Sequence, residues 1–73
     1  MVSFKKWGLV YRLLKWAQEL DGPFSIEDAY EEFSDWYQLN SIRHALSVLV
    51  SYGFLRRLKK GVYEVTQRGR HVP

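Results

Sequence analysis

The chain has 73 residues, enough for one small domain spanning residues 1–73, and it contains no cysteine. Disulfides, thiolate zinc sites and cysteine catalysis are therefore excluded. The net charge of +3 is unevenly spread: residues 1–20 carry +3, residues 21–38 carry −6 and residues 39–73 carry +6. The segment 36–63 has no Asp or Glu at all. This asymmetry indicates that the C-terminal half binds an anion such as nucleic acid.

The sequence shows no apolar run as long as a membrane span. Its N-terminal stretch MVSFKKWG alternates charged with aromatic residues, which is unlike a signal peptide. We therefore expect a cytoplasmic protein that makes no membrane contact.

The first predicted element is a helix over residues 4–20, with Ser3 as its N-cap and Asp21-Gly22-Pro23 as its end. Its charged residues share a narrow arc, and apolar side chains fill most of the remainder. A helix that serves one core needs an apolar arc of a little over ~100°. The wider arc here predicts either a homodimer contact or a helix surrounded by its own domain. The dimer candidates are Leu9, Leu13, Trp16 and Leu20.

The stretch SIEDAYEEF, residues 25–33, predicts a second helix. Ser25 is its N-cap, and Asp28 three residues later completes an approximate capping box. One face is apolar and the opposite face is acidic, which suits the helix dipole at its N-terminal end. The apolar face consists of Ile26, Ala29, Tyr30 and Phe33, and the acidic face of Glu27, Asp28, Glu31 and Glu32.

A third helix is predicted at about residues 40–52, closed by Gly53 at the C′ position, with Asn40 as a candidate N-cap. Trp36 and Tyr37, in the break before it, are predicted to pack in or around the core rather than to stack on bases. The predicted buried stripe contains Ile42, Ala45, Leu46, Leu49 and Tyr52, with Val50 at its margin.

A β-hairpin follows, with strands near 54–58 and 62–66. The loop Lys59-Lys60-Gly61 suits a three-residue connection with glycine in the left-handed position. This register sets Arg56 opposite Glu64, whereas a two-residue loop sets Arg57 opposite Glu64, and the sequence leaves both open. In the first register one face holds Leu55, Tyr63 and Val65, and Phe54, Leu58 and Val62 form a second apolar set. Thr66 is predicted to N-cap a last helical turn.

Three helices followed by a two-stranded hairpin resemble the winged-helix form of the helix-turn-helix. SIRHALSVLVSYGFLRR (41–57) resembles the recognition-helix-to-wing passage of MarR-, PadR- and ArsR-type transcriptional regulators. VYEVTQRGR (62–70) resembles their second wing strand, with its Thr-x-x-Gly-Arg exit. The resemblance implies an α+β winged helix-turn-helix domain and a small transcriptional regulator that binds double-stranded DNA. It places the recognition helix, about 40–52, in the major groove and the basic wing, 54–66, on the phosphate backbone.

Helical spacing alone defines the outer face of the third helix, where five polar residues fall within about 100° of one another. Arg commonly pairs with guanine and Asn with adenine in the major groove. The alternative is a neutral surface. The predicted base contacts are Asn40, Arg43, His44 and Ser47, and Ser51 completes the arc.

Phosphate contacts are expected mainly from the hairpin, and Lys59 and Lys60 are the strongest candidates because a loop has no core role for them. One of the two hairpin arginines is expected to be neutralised by Glu64. Alternatively, the basic residues protect an exposed edge strand from aggregation. The predicted backbone contacts are Ser41, Ser51, Arg56, Arg57, Lys59, Lys60, Arg68 and Arg70.

A winged-helix module for protein–protein interaction in a larger assembly is the competing interpretation. The acidic face of the second helix and the wide apolar arc of the first both favour it. An enzyme is not expected, since five of the eight acids cluster in one amphipathic helix and its exit. There is no Ser-His-acid constellation, no glycine-rich phosphate loop and no zinc spacing around His44. We expect no cofactor, no metal and no small-molecule substrate.

Overall fold

Four helices and three antiparallel strands make up the part of the chain that the computed structural model describes, residues 8–73. This is a small α+β domain, which confirms the expected fold class at that level. The predicted helix start at residue 4 and its Ser3 cap lie outside the described residues. In chain order the elements are α1 (Gly8–Gln18), β1 (Phe24–Ser25), α2 (Ile26–Phe33), α3 (Leu39–Ser51), β2 (Leu55–Lys59), β3 (Val62–Val65) and α4 (Gln67–Arg70).

Helix α1 ends two residues earlier than predicted. The N–H groups of Glu19 and Leu20 donate to the carbonyls of Trp16 and Ala17, each at 3.1 Å. These bonds join residues i and i−3, whereas an α-helix joins residues i and i−4, so the last carbonyls of α1 are satisfied by a tighter turn.

The wide apolar arc of α1 is explained by its position, because α1 lies against α3, β3 and α4. Leu13 is 0% exposed. It is a core residue with no surface left for a second chain, so its assignment to a dimer interface is wrong. Leu9, Trp16 and Leu20 are half-buried and pack against the same core.

Helix α2 begins with the predicted capping box. The Asp28 N–H donates to Ser25 Oγ at 3.0 Å, and the Ser25 N–H donates to Asp28 Oδ2 at 2.9 Å. Ala29 and Phe33 are buried as predicted, but Tyr30 is 43% exposed. The prediction fails at Tyr30 because its position lies at the edge of the apolar arc, beside a groove rather than over the core.

Strand β1, only two residues long, was not predicted. Phe24 pairs with Tyr63 and Ser25 with Val62, so the sheet order is β1-β3-β2. Phe24 is buried, and its ring stacks on Tyr63 with centroids 6.1 Å apart. β1 therefore joins the N-terminus of α2 directly to the hairpin.

Helix α3 begins at Leu39, with Gln38 as an N-cap that makes no side-chain capping bond. The prediction that Asn40 caps this helix is therefore wrong, and Asn40 lies in the first turn with its side chain exposed. The core residues of α3 are Ile42, Ala45, Leu46 and Leu49, as predicted.

The end of α3 is the predicted glycine stop. Gly53 has φ +82°, its N–H donates to Val50 at 2.9 Å, and the Phe54 N–H donates to Leu49 at 3.0 Å. This pair of bonds is a Schellman motif. Tyr52 was predicted to be buried but is 44% exposed. It is the C-cap residue of α3, where the buried stripe of the helix leaves the core. The Tyr52 ring contacts the Phe54 ring instead.

The hairpin adopts the register that sets Arg56 opposite Glu64. The loop is one residue shorter than predicted, because Lys59 pairs with Val62 and belongs to β2. The register shifts between Arg57 and Lys59, so Leu58 forms a bulge in β2, and only Lys60 and Gly61 remain as the turn. Gly61 has φ +77°, as the turn requires.

Helix α4 is the predicted final turn, capped by Thr66, whose Oγ1 accepts from the Gly69 N–H at 3.1 Å. The Gln18 side chain of α1 donates to the carbonyls of Gly69 and Val72, at 2.7 and 3.0 Å. The C-terminal turn is thereby held against α1. None of the helices within residues 8–73 is both long and apolar enough to cross a membrane.

Candidate nucleic-acid interface

The outer face of α3 is fully available on the surface. All five residues of the predicted arc are exposed, and the neighbouring Ser41 is exposed as well. No acidic residue occurs between residues 36 and 63, so neither α3 nor strand β2 places a carboxylate beside this face. The five residues are Asn40, Arg43, His44, Ser47 and Ser51.

The side chains of this face divide between two flanks of α3. Asn40, Ser41 and His44 line a groove of about 400 Å³ that α3 forms with the start of α1. On the opposite flank, Ser47 and Ser51 line a groove of about 180 Å³ with β2 and β3. The Ser51 hydroxyl donates to the Val48 carbonyl at 2.8 Å, so only its lone pairs remain for a ligand.

The four basic residues of the hairpin separate by face, since directly opposed residues on two strands share a face. Leu55 and its partner Val65 are buried, so the face of the hairpin that they share is its inner face. Arg57 lies opposite Tyr63 on that inner face and lines the groove beside Ser47. Arg57 is therefore the hairpin cation nearest the middle of α3.

Arg56 is on the outer face, where its guanidinium donates to the Glu64 carboxylate. The prediction that Glu64 neutralises one hairpin arginine is thus confirmed for Arg56. Lys59 lies opposite Val62, which shares the outer face with Glu64. Lys59 is exposed on that face.

Lys60, at the turn, lines a groove of about 440 Å³ between the hairpin tip and the N-terminal ends of α2 and α3. We call this the tip groove. Its principal side chains are Glu27, Tyr30, Leu39, Arg43, Lys60 and Val62. Two cations, one carboxylate and a half-exposed phenol thus come together from three separate elements.

The tip groove has fixed walls because the turn is bonded to α2. The Ile26 N–H donates to the Gly61 carbonyl at 3.0 Å, next to the β1–β3 pair formed by Ser25 and Val62. Lys60 is therefore carried by a turn whose Gly61 side is bonded to α2 and leads into a strand paired with β1.

The two arginines of the C-terminal turn are both exposed. The Arg68 guanidinium lies 5.5 Å from the centre of the Phe54 ring, just after α3 ends. Cation–π contact occupies one face of the guanidinium and leaves its edge accessible. Arg70 lies two residues further along α4.

Trp36 differs from its prediction. It is 74% exposed, whereas its neighbour Tyr37 is half-buried and packs edge-on against Phe33 at 6.4 Å. Core packing is therefore wrong for Trp36, because the turn between α2 and α3 directs only one of the two adjacent rings inward.

A fourth groove, of about 520 Å³, lies on the other side of α2 from the tip groove, between α2 and the end of α1. We call it the acidic groove. Its floor is formed by Trp16, Leu20 and Phe24, and its rim by Asp21, Asp28, Glu31 and Glu32. No Lys or Arg of the described range lines it. Helix α2 therefore separates an acidic groove from one with two cations.

Comparisons with protein-family models, with curated proteins and with solved structures found no match to this chain.

Proposed function

We propose that this chain is a small winged-helix protein that binds double-stranded DNA in the cytoplasm and regulates transcription. The observation that carries the proposal is the acid-free outer face of α3, bordered on its hairpin flank by Arg57 and Lys60. In this proposal α3 enters the major groove, and the hairpin acts as the wing.

The dimensions and chemistry of α3 support this assignment. A B-DNA major groove is about 12 Å wide and admits a helix whose outward side chains are short or polar. Asn40, His44 and Ser47 meet that description, and all three are exposed. They are the residues assigned to base edges.

Phosphate contacts are assigned to the cations on the hairpin flank of α3 and near its C-terminal end. Arg57 and Lys60 lie on the hairpin flank, and Arg68 lies near the end of α3. Each neutralised phosphate releases counterions, so affinity falls with salt by a log–log slope of about 0.9 per contact. If the protein dimerises on a palindromic site, the two copies would contact each other through Leu9 and Trp16 of α1 and through Leu20, and Leu13 would not take part.

Fluorescence anisotropy on random and selected duplexes, over a range of salt concentrations, tests the proposal. We expect a slope of several units for the wild-type protein. Asn40→Ala should reduce the preference for the selected duplex by about 1–3 kcal/mol while leaving the affinity for random duplexes unchanged. Gln67→Ala, which removes an exposed amide on α4, is the matched control. Absence of binding at low salt, or binding that ignores salt, overturns the proposal.

A second candidate function is a winged-helix module that binds a protein partner. The acidic groove favours it, because its apolar floor and carboxylate rim fit the aliphatic stem and charged head of a Lys or Arg side chain. Titration of ¹⁵N-labelled protein with a peptide of alternating lysine and leucine tests this candidate. Saturable amide shifts at Leu20, Glu31 and Glu32, with none at Ser47, would support it; the absence of saturable shifts would exclude it.

A further inference from the structure

We propose that the tip groove binds the sugar–phosphate backbone of one DNA strand, and that Arg43 is a phosphate contact rather than a base-reading residue. This inference rests on the proposed function. It changes the role predicted for Arg43, adds Tyr30 as a contact, and gives Glu27 a role in limiting affinity.

The position of Arg43 around α3 is the first argument. At 3.6 residues per turn, Arg43 lies about 60° from Asn40, toward the hairpin. It shares the tip groove with Leu39 and Lys60, whereas Asn40 lines the groove on the α1 flank. Arg43 therefore faces the hairpin tip rather than the middle of the α3 face, where base edges would lie.

The chemistry of the groove is the second argument. Arg43 and Lys60 provide two positive charges, one as a planar fork and one as a compact ammonium. The exposed phenol of Tyr30 adds a hydrogen-bond donor. Leu39 and Val62 supply apolar surface, which suits the carbon face of a deoxyribose. A phosphate with its attached sugar uses all of these groups together, while a base edge would leave the second cation without a partner.

The rigidity of the groove is the third argument. Two of its walls, α2 and the hairpin tip, are joined by the 3.0 Å bond from Ile26 to Gly61 and by the pairing of Ser25 with Val62. Little ordering of the backbone is then required when a strand binds, and a preorganised site loses less of its binding energy.

Glu27 lines the same groove and places one negative charge near the two cations. A carboxylate there repels a phosphate and lowers the affinity for every DNA sequence equally. Glu27 thus limits the affinity for specific and non-specific DNA alike, and the ratio between the two is set by the base contacts in the middle of α3.

The test measures anisotropy on a selected and a random duplex over a range of salt. Arg43→Ala and Lys60→Ala should each lower the salt slope by about 1 and weaken both duplexes by the same factor. Tyr30→Phe should weaken both duplexes roughly two- to fivefold, as expected for one hydrogen bond. Arg12→Ala, which removes an exposed arginine of α1, is the control for lost charge. Thermal unfolding of each variant confirms that the domain is intact.

Glu27→Gln should strengthen binding to both duplexes, and Glu31→Gln is its matched control. Both changes remove one negative charge from the same helix, but Glu31 lines the acidic groove. A larger gain for Glu27→Gln than for Glu31→Gln supports a local contact, whereas equal gains mean that only net charge matters and overturn the role of Glu27.

Duplexes with one neutral methylphosphonate at successive positions locate the phosphate. At one position the effects of Arg43→Ala and Lys60→Ala should both disappear. If Arg43→Ala instead weakens only the selected duplex, Arg43 reads a base, and this inference fails while the proposed function stands. If the wild-type protein shows no salt-dependent DNA binding, both fail together.

Discussion

The base and the tip of the hairpin are built in opposite ways. At the base, the Thr66 N–H donates to the Phe54 carbonyl at 3.0 Å, and Thr66 Oγ1 donates to the Gly53 carbonyl at 2.6 Å. Gly69 packs directly beneath Phe54. At the tip, the turn carries an exposed Lys60, and its Gly61 carbonyl accepts from the Ile26 N–H of α2.

This difference indicates that the base and the tip of the hairpin have different roles. The base is close-packed, so a single added carbon must displace backbone there. The tip has open space around Gly61 and supports charge instead of packing. Substitutions at the base should therefore cost folding stability, while those nearer the tip should cost less stability and change the proposed DNA binding.

The largest effect is expected for Gly69→Ala. The new Cβ would lie 2.1 Å from the Phe54 carbonyl oxygen and 2.9 Å from Val65 Cγ1. Overpacking against backbone outweighs the gain in helix propensity and should lower the free energy of unfolding by about 3 kcal/mol. Urea denaturation followed by circular dichroism measures this loss as a lower midpoint.

Gly8→Ala is the control for this first prediction, because nothing lies within 4 Å of a Cβ at Gly8. It should leave the midpoint unchanged or raise it slightly. A Gly69→Ala protein as stable as the wild type would show that the base can relax, and the contrast between base and tip would then be lost.

Thr66→Ala should have the next largest effect. It removes the cap of α4 and the hydroxyl bond to Gly53 together, which should cost about 1–2 kcal/mol. Thr66→Ser keeps the hydroxyl and should recover most of the loss. Equal losses for the two variants would instead assign the effect to the missing methyl group.

Gly61→Ala should cost less, about 1 kcal/mol, although it also concerns a glycine. Its φ of +77° is unfavourable for an L-residue, but a Cβ there meets no atom within 4 Å. Gly61→Asn should be milder, since Asn tolerates the left-handed region. If Gly61→Ala proved as costly as Gly69→Ala, the tip would be as tightly constrained as the base.

Three helix ends of this fold were predictable because a cap depends on residues only a few positions apart. The Ser25–Asp28 box, the Gly53 stop and the Thr66 cap are all such local features. Asn40 failed as a cap because Gln38 took the position without a capping bond, a choice that local chemistry does not favour.

Features that depend on distant segments were not predictable. Strand β1 exists because Phe24 reaches Tyr63, and two residues are too few for an alternating pattern. An apolar arc does not distinguish a partner from the domain's own core, which explains the error at Leu13. Helical spacing identified Arg43 and the loop position identified Lys60, but only the fold brings them together with Tyr30 in the tip groove.

The smallest effect on stability is expected for Glu64→Gln, midway between base and tip. The Arg56–Glu64 pair is largely open to solvent, with side chains 64% and 26% exposed, so losing it should cost less than about 1 kcal/mol.

The same substitution should have a larger effect on the proposed DNA binding than on stability. With Arg56 released and one negative charge removed, the affinity for DNA should rise a few-fold and the salt slope should increase by up to about 1. Glu19→Gln removes an exposed carboxylate from the turn that follows α1 and controls for net charge. A gain shared equally by the two variants would mean that Arg56 stays away from the DNA, and the proposed phosphate contacts of the hairpin would then be limited to Arg57 on its inner face and Lys60 at its tip.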